Sequence, residues 1–459
     1  MIRSKSLAFS LMLGAGSLAA SAALAQSPLE SKARQLGVIN ADLQAKGKSR
    51  VIVKFAVAAS SLRTDAQMAA RESAVRAGQD GILKTVFGST AAAERHALTR
   101  MEIQPMFAMS ASKAELDKLA ADPCVVAIYR DNISRPSLIQ SVPLVGGDVL
   151  QGLGGTGEGF IVAIVDTGVE STHDFIHPRV IAGACFGTAD EGLVPTCKNG
   201  KSHDQGKTAG DSCTVSAECF HGTHVAGIAA GHLTHKKNHA GEPLVGMAPK
   251  AKIFAINVFS TDGTDLGAFD SDIERGLEFA FKKRNKFPGL ALASANMSLG
   301  DHSVNTVPCD DSDALTDTVN TLYDANIATV IASGNDANKN GVSAPGCISK
   351  AITVSATSKS DLVASFSNVG DLVDLFAPGL VIRSSVLNNQ FGLASGTSMA
   401  TPHVTGAWAA LRSLHPDASV DDIEAALEGT GKPIHDARTG GQWTKPRIQV
   451  DAAHTQLSE

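Results

Sequence analysis

Ser398, in the run GTSMATPHVTGAWAAL, stands where a strand gives way to an Ala-rich helix, beside a glycine and ahead of Pro402. That placement presents a hydroxyl at the positive end of a helix dipole, where a developing oxyanion is also stabilised. Ser398 is therefore the candidate nucleophile. A serine hydroxyl attacks poorly unless a base takes its proton, and the base needs an orienting partner. Upstream, Asp166 closes the apolar run FIVAIVD and His221 opens HGTHVAGIAAGHL. A strand that is apolar throughout is buried on both faces, which puts Asp166 at its C-terminal edge, beside the crevice where open parallel sheets bind ligands. Gly222, Ala226, Gly227, Ala229 and Ala230 predict a helix that packs closely beneath a site, with His221 at its start.

Singly, each residue has a plainer reading: the serine as a turn or cap, the histidine as satisfied core, the aspartate as a loop cap. Their order decides otherwise. DTGV, HGTHVAG and GTSMATPHV, in this order, resemble the three catalytic signatures of the subtilisin-like serine proteases; chymotrypsin-like and α/β-hydrolase enzymes use other orders. The resemblance runs from about Ile139 to Asp451. It implies Ser398 as nucleophile, His221 as general base and then acid, and Asp166 as the carboxylate that orients and stabilises the imidazolium. It further implies that Asn335, beside Gly334 at the end of IATVIASGNDA, donates its amide to the oxyanion, with the Ser398 N–H as second donor. The family holds its peptide as an added strand against an SLGG-like segment. Here MSLGD supplies Ser298, Leu299 and Gly300, so extended polypeptide is the expected substrate, with Gly334 also on the substrate side. Asp301 replaces the second glycine and either biases the side-chain pocket or faces solvent.

Other chemistries fall away on spacing. HGTHV lacks the glutamate of HExxH, so His224 is read as packing on the His221 helix. GKSHDQGKT places five residues rather than four between Gly200 and Gly206 and follows no apolar strand, so it reads as a polar surface insertion and not a phosphate loop. In GTSMA, Ala400 stands where the GxSxG elbow of esterases needs glycine. A catalytically silent binding homologue is opposed by the intact set Asp166, His221, Asn335 and Ser398. No cofactor is required. The resemblance admits calcium as a structural ion, with Gln140 and Asp174 near the family's ligand positions, although THKKNHAGEP, basic and histidine-rich, replaces the usual ligand loop.

These residues need a scaffold. From Gly159, the apolar runs FIVAIVD, KIFAINVF, ALASANMSL, IATVIASGN and AITVSAT alternate with the helical DSDIERGLEFAFKKR and SDALTDTVNTLYDAN, and SVDDIEAALEGTG is a capped helix ended by glycine. Such alternation predicts an α/β fold, a three-layer doubly wound, mostly parallel sheet. Before it, SRVIVKFAV, Thr64 to Lys84, RHALTRMEIQPMFAMSA, SKAELDKLAADP and CVVAIYRDN read as a small α/β unit, with Ser112 and Glu115 at capping-box spacing. That order is similar to the family's inhibitory propeptide, a ferredoxin-like α/β prodomain that templates folding of the slow-forming parallel sheet and then inhibits. Cleavage is expected between about Asn132 and Gln140.

Arg3 and Lys5 precede an apolar stretch closing on Ala23, Leu24 and Ala25, the pattern of a signal peptide cut before Gln26. The expected organisation is thus signal peptide 1–25, propeptide 26–137 and catalytic domain 138–459. No later segment is apolar for long enough to span a bilayer. Of seven cysteines, Cys124 lies in the N-terminal part; the other six predict three disulfides, with Cys309 paired to Cys347 and the pairing of Cys185, Cys197, Cys213 and Cys219 left open. A zinc knuckle is the alternative for these cysteines, opposed by the export signal. A formal net charge of −6 gives no basic footprint for nucleic acid or an anionic membrane. The expectation is a monomeric secreted serine endopeptidase, extracellular or periplasmic, acting on polypeptides and held by its own propeptide.

Overall fold

The computed structural model describes residues 27–459 apart from 35, 59–64, 103, 132–137 and 234–243. The expected signal segment, the processing window up to residue 137 and the loop THKKNHAGEP lie outside the described residues. The chain divides into two compact units, Met1–Ser134 and Arg135–Glu459.

The N-terminal unit carries an antiparallel four-stranded sheet in the order Thr99–Arg100, Met106–Ala111, Ser49–Phe55, Val125–Arg130. Strict alternation in SRVIVKF turns Val51, Val53 and Phe55 into a core shared with Leu83 of helix Asp65–Phe87 and Leu116 of helix Lys113–Ala121. The second helix starts as its sequence announces: the Glu115 carboxylate accepts from the Ser112 N–H and hydroxyl, both at 2.8 Å. The helix Leu36–Lys46 was not anticipated, because it buries only Ile39 and so carries almost no apolar periodicity.

In the second unit a ten-stranded sheet forms the middle layer. Its central strands run parallel in the order Leu375–Pro378, Ala351–Thr357, Ala328–Ala332, Ala291–Met297, Phe160–Asp166, Lys252–Asn257, Val180–Phe186. Alternate residues of FIVAIVD enter two separate cores: Val162 and Ile164 pack with Val225, Val404 and Trp408, while Ile161 and Val165 pack with Ile273, Leu277, Val319 and Leu322. Helices His221–Ala230 and Thr397–Arg412 therefore cover one face, and Asp270–Lys283 and Thr316–Asp324 the other. This is the three-layer α/β arrangement, and it explains why the strand has no polar side.

The sheet's margins were less legible. At one edge Lys432–His435 pairs antiparallel with Thr444–Arg447, which Pro433 and Pro446 would argue against in a central strand. At the other, His203–Gln205 of the polar insertion pairs with Val180–Phe186. Helix Val420–Thr430 is capped by Ser419 and Asp422 as expected, but Gly431 at its end has φ −62° and is no left-handed cap; a Cβ there would stand 2.5 Å from that of Pro446. Disulfides join Cys185 to Cys197, Cys213 to Cys219 and Cys309 to Cys347, and Cys124 is free and exposed. Among the described residues no helix is long and apolar enough to cross a membrane.

Candidate active site

Three adjacent parallel strands deliver the site. Phe160–Asp166 ends in Asp166, its neighbour Ala291–Met297 runs into Ser298, Leu299 and Gly300, and the next, Ala328–Ala332, runs into Gly334 and Asn335. Parallel neighbours end at the same edge, so groups far apart in sequence meet there. The helices bearing His221 and Ser398 pack on one face of these strands. His221, Ser398, Asn335, Ser298, Leu299, Gly300 and Gly334 all line one cleft of about 360 Å³. Asp166 sits behind His221, 1% exposed.

The carboxylate and imidazole are clasped. His221 Nδ1 lies 2.8 and 3.0 Å from the two Asp166 oxygens, and Asp166 Oδ1 also accepts the Thr167 N–H at 2.7 Å. An ionised carboxylate only accepts, so Nδ1 carries the proton and Nε2 is left with a lone pair for the cleft. Burial opposes charge on the imidazole; the Asp166 carboxylate, helped by Glu218, outweighs it and holds the His221 pKa above the ordinary 6.5. The backbone is held as well. Thr167 Oγ1 accepts the Gly222 N–H at 3.0 Å and donates to the Cys219 carbonyl at 3.3 Å, while the Cys213–Cys219 disulfide closes the turn leading into His221. At Gly222 a Cβ would stand 2.3 Å from the Gly168 carbonyl oxygen and 3.0 Å from Asp166 Oδ1, so only glycine permits this approach.

Ser398 is the second residue of helix Thr397–Arg412. Pro402, four residues on, has no N–H for the Ser398 carbonyl, so that carbonyl would be orphaned inside the protein. Ser298 Oγ donates to it at 3.0 Å, and Asn296 Nδ2 donates to Ser298 Oγ at 2.9 Å, with Asn296 Oδ1 accepting from Thr405 at 2.9 Å. This buried chain ties the serine backbone to the strand end. The Ser398 hydroxyl itself donates to the Ser298 carbonyl at 3.3 Å. Among the described residues it makes no hydrogen bond to His221, so the expected contact of acid, imidazole and alcohol is made in its first half and not its second. Catalytic hydrogen bonds are often loose before substrate arrives.

Asn335 is fixed by its oxygen. Oδ1 accepts the Thr397 N–H at 2.8 Å and the Thr397 hydroxyl at 3.1 Å, which leaves Nδ2 as the free donor end. Gly334 adopts φ +105°, where a Cβ would meet Asn368 Nδ2 at 2.3 Å. Asn368 was missed by sequence reasoning. Fully buried, it accepts the Asp336 and Asn338 N–H groups at 2.9 and 3.0 Å and donates to the Ser333 carbonyl at 3.0 Å, so it holds the loop that carries Asn335. The polar FSN, between two apolar strands, was the available signal.

The remaining candidates resolve as follows. Asp301 is exposed and does not line the cleft; its Oδ1 accepts from Ser303 and Ala344 N–H at 2.9 and 3.1 Å, so its carboxylate braces a turn. His224 is buried with Nε2 3.2 Å from the Ile382 carbonyl, and burial pushes its pKa down to about 3, a neutral packing histidine. For calcium, Asp174 accepts from Asn389 Nδ2 at 3.0 Å and belongs to no described cluster of three carboxylate, histidine or cysteine ligands; the Gln140 side chain lies outside the description.

Residues 157–445 match the family described as the Subtilase family. The chain is 34% identical over 270 residues to subtilase-type proteinase psp3 of Schizosaccharomyces pombe, covering 58% of this chain but 50% of that protein. It is 30% identical over 403 residues to subtilisin NAT of Bacillus subtilis subsp. natto, covering 84% of this chain and 93% of that protein. Thermitase of Thermoactinomyces vulgaris is 34% identical over 294 residues, 64% of this chain and 88% of that one.

Proposed function

Because this chain belongs to the subtilase family and is a serine endopeptidase, we propose that Ser398, His221, Asp166 and Asn335 carry out its chemistry. An extended polypeptide lies along Ser298, Leu299 and Gly300. Ser398 Oγ attacks the carbonyl carbon of an internal peptide bond as His221 Nε2 takes its proton. The tetrahedral oxyanion accepts hydrogen bonds from Asn335 Nδ2 and the Ser398 N–H. Asp166 stabilises the imidazolium, which then gives its proton to the departing amide nitrogen as the C–N bond breaks. Water, deprotonated by the same imidazole, hydrolyses the acyl-enzyme. The observation that best supports these roles is the two-oxygen clasp of Asp166 on His221 behind a cleft that Ser398 and Asn335 also line.

Subtilases need no organic cofactor, and no step above uses calcium. The enzyme is further proposed to be a secreted, monomeric zymogen: residues 1–25 are removed on export and 26–137 act as an intramolecular inhibitor until self-cleavage near 132–140. The order of the N-terminal antiparallel sheet, with helices between its first and second and its third and fourth strands, is that of a ferredoxin-like unit and supports the propeptide reading. Six paired cysteines support export into an oxidising compartment. Casein hydrolysis with no triglyceride hydrolysis, lost in Ser398→Ala together with conversion of the full-length chain, is the expected result. Normal processing in Ser398→Ala would remove the self-cleaving serine from the account.

A further inference from the structure

Among the cleft-lining side chains that take no part in the reaction above, one is charged and unpartnered. Glu218 is the sole carboxylate among the described lining residues, and it is exposed. Its carboxylate makes no ion pair or hydrogen bond among the described residues. It sits in the 3₁₀ turn Ala217–Phe220, immediately before His221. Ser216 fixes the start of that turn: its Oγ accepts the Glu218 N–H at 3.2 Å and donates to the Thr264 carbonyl at 3.2 Å. The second bond ties the turn to the hairpin Ser260–Thr261 with Leu266–Gly267, whose Leu266 lines the same cleft, as do Phe259 and Phe220.

The imidazole is thus flanked by an apolar wall with one unpaired negative charge on it. A neutral aliphatic side chain would use the wall and leave the charge idle. A lysine or arginine side chain uses both, laying its methylene stem on Phe220, Phe259 and Leu266 and bringing its cationic head to the carboxylate. We propose that Glu218 is a specificity-determining residue that makes the cleft select a lysine or arginine at the substrate position lying against His221. The inference rests on the assignment of the catalytic site above. Three residues before His221, the same carboxylate adds a minor part to the raising of the His221 pKa, which burial opposes and Asp166 chiefly drives.

The test is kcat/KM of the mature enzyme on peptide pairs that differ only by lysine or norleucine, placed at each position around the cleaved bond in turn. Norleucine keeps the stem and lacks the ammonium. An exposed pair of this kind corresponds to a lysine preference of about 1.5- to 5-fold at one position. The preference should shrink at about 0.5 M salt, collapse towards one in Glu218→Gln, and pass to glutamate-bearing peptides in Glu218→Lys. A lysine preference unchanged in Glu218→Gln, or none at any position in the parent, would overturn the inference while leaving the protease intact. Cleavage of neither peptide would strike the catalytic assignment itself.

Discussion

At the residue scale the chemistry depends on where each proton and each amide dipole points. Asn335 Oδ1 is committed to Thr397, so Nδ2 is the end left to donate to the oxyanion in the proposed reaction. Asn335→Leu should lower kcat by about 100- to 1,000-fold with little change in KM, a magnitude known from subtilisin; a rise in KM with kcat unchanged would mean the amide binds ground state and oxyanion alike. His221 must be neutral to accept the serine proton. Its pKa lies above 6.5, chiefly through Asp166 against the opposing cost of burial, so the acid limb of kcat/KM should have its midpoint above the ordinary imidazole value. A midpoint below 6.5 in a pH profile would contradict the clasp. These residues were legible because the chemistry dictates their types and the fold dictates their order. The Ser398 rotamer and the buried support of Asn368 were not, because both depend on packing partners brought together only by the folded loops.

At the element scale, the site is a consequence of three neighbouring parallel strands ending together and two small-residue helices lying close against them. The approach of the His221 helix to the Asp166 strand is set by Gly222. Gly222→Ala inserts a methyl 2.3 Å from the Gly168 carbonyl oxygen and against Asp166 Oδ1. Since a 1 Å misplacement can cost about 100-fold, kcat should fall by about that factor in protein that still folds; circular dichroism with titration by an active-site label separates lost geometry from lost fold. Full activity in well-folded Gly222→Ala would show that this contact does not position the pair. The central strands were legible from unbroken apolar runs, and Asp270–Lys283 from its amphipathic repeat. The edge strands were not. His203–Gln205 is short and polar, and Lys432–His435 and Thr444–Arg447 each contain a proline, so neither carries a periodic signal strong enough to read.

At the scale of the whole molecule, the second unit's stability should depend on pH through a cluster outside every catalytic motif. Asp374, Glu424 and Glu428 bring carboxylate oxygens within 4.8 Å of one another, where Val420–Thr430 meets the start of Leu375–Pro378. Burial first, then mutual repulsion, raises Asp374 from 3.8 to about 7 and Glu424 from 4.5 to about 8. The native state therefore holds protons that the unfolded chain has released, and stability falls as pH rises from roughly 4 to 8. In a Ser398→Ala background, which avoids self-digestion, Glu424→Gln should flatten that fall and raise Tm at about pH 9 by a few degrees. Parallel Tm–pH curves for the two proteins would refute it. The overall architecture was legible from strand–helix alternation, and Cys309–Cys347 from cysteine placement. The partners of the other four cysteines were fixed only by the insertion's fold, which no periodic pattern announces.

The proposed chemistry requires Ser398 to be the activated hydroxyl. Reaction of the mature enzyme with a fluorophosphonate, followed by mass spectrometry of its peptides, reads this directly. The predicted result is one adduct, on Ser398, absent in Ser398→Ala and formed at least about 1,000-fold more slowly in His221→Ala. Labelling that persists in Ser398→Ala, or an adduct rate indifferent to His221, would contradict it.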